Sequence, residues 1–356
     1  MSKPSITIGI SVYDRINDSK VAALLAKTVL AAYFEVKVVV AACKPDTKRE
    51  LENIEYIDFV LEPNIPKETP LEFNIHSNLG AARTFSSFLK CGNYAQKNQT
   101  DYYCFGNAGS WLLGPDGIIE LTSKLNKGNK LAACRVAREG RKYLVEDHFF
   151  LVNLKISKDQ QIFNGKFYDR FFNPIFFYDN GIHSLLENWI NLKTEPGQVI
   201  IYSDLTDCKN HFGDPVNSFV PFSLDLKKNF IHSNPLDLPD EILTLRIKYI
   251  ETCEMLNEYQ KTNLINLLNK ETSGKLVRSQ VKKIGSMYYI GNNMKKGLFY
   301  VVIRSKIIWL LLSELSRILT YLGLKFPIIH YFGKKMEKII SRYRDSYKKI
   351  NFEKIQ

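Results

Sequence analysis

Between Asn78 and Trp111 the chain reads NLGAARTFSSFLKCGNYAQKNQTDYYCFGNAGSW, a small-residue helix and an aromatic strand followed by a polar bend before a tryptophan. Asn78-Leu79-Gly80 leads into Ala81-Ala82-Arg83, a glycine after a polar residue with a guanidinium three positions on. Glycine lets backbone approach a phosphate or ribose, and a helix N-terminus favours negative charge. Arg83 is read in two ways, as a group neutralising a diphosphate or as an ion pair beneath a sheet. Asp14, closing an apolar run, either accepts a hydrogen bond from a base or ribose or stabilises its own turn. The bend Asn107-Ala108-Gly109-Ser110 offers one neutral polar ligand, Asn107. A hard cation such as Mg²⁺ or Mn²⁺ wants carboxylate oxygens, so metal ligands are assigned to none of these residues, and Mg²⁺ or Mn²⁺ stays open as a cofactor. Asp46 stands close enough in sequence to supply a missing charge.

Those residues need a scaffold that brings turn ends together. Ile6–Val12, Glu35–Ala42, Ile57–Leu61 and Tyr102–Phe105 are short apolar runs with β-formers, and helical spacing fills Val21–Phe34 between the first two. Ser77-Asn78-Leu79-Gly80 reads as the cap of a helix from Ala81 to Cys91. Further helices are predicted over 115–125 and 184–192, with strands over 131–137, 143–154 and 199–203. Strands alternating with helices predict an α/β fold, a mostly parallel sheet flanked by helices, with ligands beyond the carboxyl ends of the strands. Glu146-Asp147-His148 is set aside as a chelate, because successive residues of a regular strand face opposite sides. His211, in the polar loop around Asp207–Pro215, is read as a turn residue or an acceptor-side group.

The 356 residues, 45% hydrophobic, suit one large domain or one domain with an appendage. Boundaries are placed at 1–235 for the α/β domain, 236–293 for a helical connection starting with a helix over 240–269, and 294–356 for a basic tail. The six cysteines, Cys43, Cys91, Cys104, Cys134, Cys208 and Cys253, are scattered without a CxxC pair, which favours reduced thiols. The opening MSKPSITIGISVYDR has neither secretory nor membrane-anchor character, and a cytoplasmic location is expected. The net charge of +12 is uneven: from Leu276 onward stand 17 of the 49 Lys/Arg and 4 of the 37 Asp/Glu, leaving 32 against 33 in the body. Charge-free runs in the tail such as Ile307–Ser313 fall far short of the roughly 18–20 residues of a span. Apolar stretches beside so many cations predict a helix lying on an anionic membrane surface, or one packed on the body with a solvated basic end. Nucleic acid is not expected as a partner.

Four pieces, ITIGISVYDR, SNLGAARTF, DYYCFGNAGSWLL and GKFYDRFFNPIFFYDNGIHSLL, together resemble the family 2-type glycosyltransferases of the GT-A fold, over roughly residues 5–190. The resemblance implies a nucleotide-diphosphate sugar as donor, bound by Asp14, Asp46, Asn78, Gly80, Arg83 and Asn107, with a lipid-linked or growing surface glycan as acceptor. It implies Asp179 as general base of an inverting transfer, with Asp169 and Glu187 as runners-up for that role, and Asp169 and His183 on the acceptor side. Here Asn107 and Gly109 replace the aspartates of the family's Asp-x-Asp motif. Leaving-group charge then falls to Arg83, Lys44, Arg135, Arg138 or helix dipoles. The loss of those aspartates also leaves open a non-catalytic scaffold that binds a nucleotide or glycan.

Overall fold

The computed structural model describes residues 2–13, 15–63, 75–139, 142–157, 159–164, 182–195, 197–204, 222–225, 230–233, 246–271 and 352–354. The strands of the large sheet are β1 (Ser5–Val12), β2 (Glu35–Ala42), β3 (Phe59–Leu61), β4 (Tyr102–Asn107), β6 (Ala132–Glu139), β7 (Lys142–Asn153), β8 (Val199–Asp204) and β11 (Phe352–Lys354). They lie in the order β11-β8-β6-β7-β4-β1-β2-β3. Every pairing is parallel except those of β7, which runs against both β4 and β6. A second sheet joins β5 (Ser110–Leu112), β10 (Phe230–Ser233) and β9 (Phe222–Asp225). The α/β architecture expected from the alternation is the one observed.

Hydrophobic alternation decides which side of the large sheet each helix covers. Ile6, Ile8, Ile10 and Val12 of β1 face α1 (Ile16–Leu30), α4 (Asp116–Lys127) and α6 (Glu258–Glu271). Val39 and Ala41 of β2, with Tyr103 and Phe105 of β4, face α3 (Ile75–Lys97) and α5 (Ile182–Lys193). Gly9 of β1 lets α3 sit close, since a Cβ there would stand 2.8 Å from Cys91 Cβ and 2.8 Å from the Tyr103 ring. Pro45 opens α2 (Pro45–Leu51) at the first helical turn, where no amide is needed. Asp116 in the first turn of α4 and Lys124 and Lys127 in its last complement the helix dipole.

Three expectations change. Helix α3 begins at Ile75, not after Gly80, so Asn78 and Gly80 lie inside the helix rather than capping it. Residues 246–251 and α6 are separate helical pieces rather than one helix over 240–269. These pieces also join the main core: Ile250, Cys253, Leu256, Leu264 and Leu268 are buried with the α1 side of the sheet.

Candidate active site

The chain passes from β1 through β2 to β3 on one side of the sheet, then returns to place β4 on the other side of β1. Ligands of open α/β sheets bind outside the carboxyl ends at such a reversal. Here the gap is closed at its floor by backbone: Ala108 N–H donates to Ser11 O at 3.0 Å, and Cys43 N–H to Val12 O at 3.0 Å.

On the β1–β2 side stands Tyr13, 37% exposed. Lys44 Nζ lies 3.8 Å from its ring centroid and Arg83 Cζ 3.9 Å, both within cation–π range. Arg83 comes from α3, three residues past Gly80, and its buried Nε makes no hydrogen bond among the described residues. Of the two readings of Arg83, the ion pair beneath the sheet finds no carboxylate among the described residues; the side chain is held at the rim by an aromatic face. Cys43 Sγ sits 3.8 Å from Ser87 Oγ. Burial pushes the Cys43 thiol pKa up, against the lowering effects of Ser87 and Arg83, so the floor beside the two cations is a neutral thiol.

On the β4 side Asn107 closes its strand, and both ends of its amide are engaged. Nδ2 donates to Asp147 Oδ2 at 3.3 Å, and Oδ1 accepts from Ser110 Oγ at 3.0 Å. Asp147 Oδ1 lies 3.4 Å from His148 Nε2. This corrects the view that Asp147 and His148 sit on a regular strand. The pairing of β6 with β7 jumps from Cys134↔Phe150 to Val136↔Val145, so residues 146–149 face Arg135 alone. A bulge of this kind re-aims side chains. Gly106 permits it, because a Cβ there would come 2.9 Å from the His148 carbonyl oxygen. A cavity of about 20 Å³ has Asn107, Ser110 and His148 in its wall, the room of about one water.

Behind the bend, Trp111 is fully buried and its Nε1–H donates to Ala108 O at 3.2 Å. The Arg246 guanidinium covers the indole, 3.8 Å from the ring centroid, and pairs with Asp18 of α1, which Arg15 also meets. The bend is thus braced from a residue far along the chain.

Of the site residues named from sequence, Arg83 and Asn107 reach this rim. Asp46 lies in the first turn of α2, with its side chain 81% exposed and paired to Arg49. Asn78 and Gly80 lie in the first turns of α3, and His183 in the first turn of α5. Asp14, Asp169, Asp179 and His211 lie outside the described residues. Sequence reasoning missed Asp147 because the register jump has no composition signal, and Arg246 because it stands 135 positions from the tryptophan it covers, a separation read from the numbering alone.

No protein-family model and no curated protein matches the chain. Among solved structures, it is similar to a structure described as a nucleotide-diphospho-sugar transferase from Desulfovibrio desulfuricans G20, with 10% identity over 76% of this chain and 99% of that one, TM-score 0.39. It is also similar to residues 1–349 of S. aureus TarS, with 13% identity over 97% of this chain and 90% of that one, TM-score 0.34. A third is the mannosyltransferase PcManGT of Pyrobaculum calidifontis in complex with GDP-Man and Mn²⁺, with 11% identity over 98% and 88%, TM-score 0.34. At such distances the chemistry below rests on this chain's own residues.

Proposed function

We propose that the chain is a glycosyltransferase that moves a sugar from a nucleoside-diphosphate donor to a lipid-linked or growing surface glycan, with inversion. The observation that carries this reading is the set of side chains at the carboxyl ends of β1, β2 and β4. Tyr13, Lys44 and Arg83 gather at the β1–β2 side, and Asn107, Ser110 and Asp147 at the β4 side. Two cations suit the diphosphate, whose charge grows as the bond to the sugar breaks; amide, hydroxyl and carboxylate suit sugar hydroxyls. In the transfer an acceptor hydroxyl oxygen bonds to the anomeric carbon. The bond from that carbon to the phosphate oxygen breaks, and its electron pair leaves with the diphosphate. The hydroxyl proton passes to a carboxylate base, the role given to Asp179 by the family resemblance.

The side chains at the bend do not fit a hard divalent cation. Among the described residues the carboxylate in contact with the bend is that of Asp147, which Asn107 and His148 engage, and no three His, Cys, Asp or Glu side chains gather. No step is therefore routed through a metal. The uncharged Asn107-Ala108-Gly109 also supports a second reading, a scaffold that binds a nucleotide or glycan without transfer.

Calorimetry with nucleoside diphosphates, with and without Mn²⁺, followed by turnover on a panel of nucleotide sugars with lipid acceptors, separates the two. Binding without Mn²⁺ together with transfer or hydrolysis of one donor is the expected result. Binding without turnover supports the scaffold, and no binding removes both readings. The tail is proposed to hold the protein on the cytoplasmic face of an anionic membrane. The tail lies outside the described residues apart from 352–354, and salt-sensitive flotation of the full chain with anionic vesicles, lost on ending it at residue 293, is the test.

A further inference from the structure

We infer that Asp147 is the carboxylate that receives the donor sugar, supplied to the bend from the antiparallel strand β7 rather than from β4 itself. The inference rests on the glycosyl-transfer reading and assigns one substrate contact within it. The bend carries no acid of its own, and among the described residues the acid that contacts it stands 40 positions from Asn107 in sequence, with its Oδ2 3.3 Å from Asn107 Nδ2. The amide cannot simply turn to offer its oxygen in place of the carboxylate. Its nitrogen is held by Asp147 and its oxygen by the Ser110 hydroxyl. An ionised carboxylate has about four lone-pair sites, and the contacts to Asn107 and His148 use two of them.

Asp147 is mostly buried, yet its side chain keeps 12% of its accessible surface. It is brought there by the register jump opposite Arg135, which costs β7 its regular ladder over residues 146–149. Of these residues His148 and Phe149 line the cavity of about 20 Å³, together with Asn107 and Ser110, and Asp147 adjoins it through its contact with Asn107. Such a space admits one hydroxyl. The matching ligand class is a hexose hydroxyl on the donor, hydrogen-bonded to a carboxylate without an intervening ion. Asp147 then sets the preference for the sugar part of the donor, while Lys44 and Arg83 serve its diphosphate.

The test is calorimetry on the full chain with uridine and guanosine diphosphates and their hexose conjugates, comparing wild type, D147N and the swap N107D/D147N. In D147N the affinity for the hexose conjugate falls about tenfold, as for loss of a charged hydrogen bond, while that for the bare diphosphate is unchanged. The swap moves the charge across the 3.3 Å contact and recovers at least half of that loss on the logarithmic scale. Thermal melts establish folding; should D147N melt far below wild type, the swap, which keeps both the charge and the pair, decides the matter by retaining conjugate binding. Equal binding of the conjugate by D147N, an equal loss for the bare diphosphate, or a swap no better than D147N overturns the inference. Failure of the wild type to bind any nucleotide overturns the glycosyl-transfer reading itself.

Discussion

Arg83 shows how a single side chain changes meaning once its neighbours are known. In the sequence it is a cation near a glycine; in the fold it lies 3.9 Å from the Tyr13 ring at the rim, with a buried Nε lacking a hydrogen bond. R83A is expected to lower nucleoside-diphosphate affinity by tenfold or more, since a hydrogen bond to a charged group contributes about 1.5–3 kcal/mol, with little change in melting temperature. R83K should restore only part of it, because an ammonium lacks the planar fork; calorimetry with a diphosphate and circular-dichroism melts check both. Arg83 and Asn107 could be singled out from their neighbours in the chain, Asn78-Leu79-Gly80 before one and Ala108-Gly109-Ser110 after the other, although the first of these stretches lies inside α3. Asp147 could not, since its partnership with Asn107 depends on strand pairing and a bulge that no local pattern encodes.

At the scale of elements, the strands were legible where one side had to be buried. The predicted Glu35–Ala42 is the observed β2, and β1 differs by one residue, because alternating apolar residues leave little freedom in register. The short strands of the second sheet were not legible: three or four residues each, they are held by partners distant in sequence. Nor was the start of α3, which runs through a glycine that local propensity would use as a boundary. The packing of α3 on β1 makes a sharp prediction. G9A places a methyl group 2.8 Å from Cys91 Cβ, and overpacking of this kind costs about 1–3 kcal/mol. Urea unfolding should show a lower midpoint with an unchanged slope. If the midpoint is unchanged, α3 does not sit as tightly on β1 as described.

For the whole molecule, two predictions concern how its parts are joined. Arg246 ties the helical segment after residue 245 to Asp18 of α1, whose side chain is 2% exposed. R246A removes a partner from a buried carboxylate and should destabilise the body by about 3 kcal/mol, visible as a lower melting temperature. Stability should also fall on the alkaline side. Burial raises Cys104 from 9.0 and Tyr56 from 10.0, each to about 12, and raises Cys91 and Tyr103 as well. The unfolded chain releases those protons first, so the stabilisation present below pH 9 is lost progressively as pH rises towards 12. Melting temperatures measured from pH 7 to 11 should decline above pH 9, and a flat profile would show that these groups are not buried as described. The tryptophans divide the molecule in a way that spectroscopy can exploit. The chain has three: Trp111 lies under the Arg246 guanidinium beside the bend, and Trp189 stacks on Phe163 at 5.8 Å in the α3–α5 core. Trp309 belongs to the basic tail. Phenylalanine replacements leaving one indole at a time turn the protein into three separate reporters. On the proposed function, one emission should answer to nucleotide at the bend, one to the integrity of the opposite core, and one to anionic vesicles.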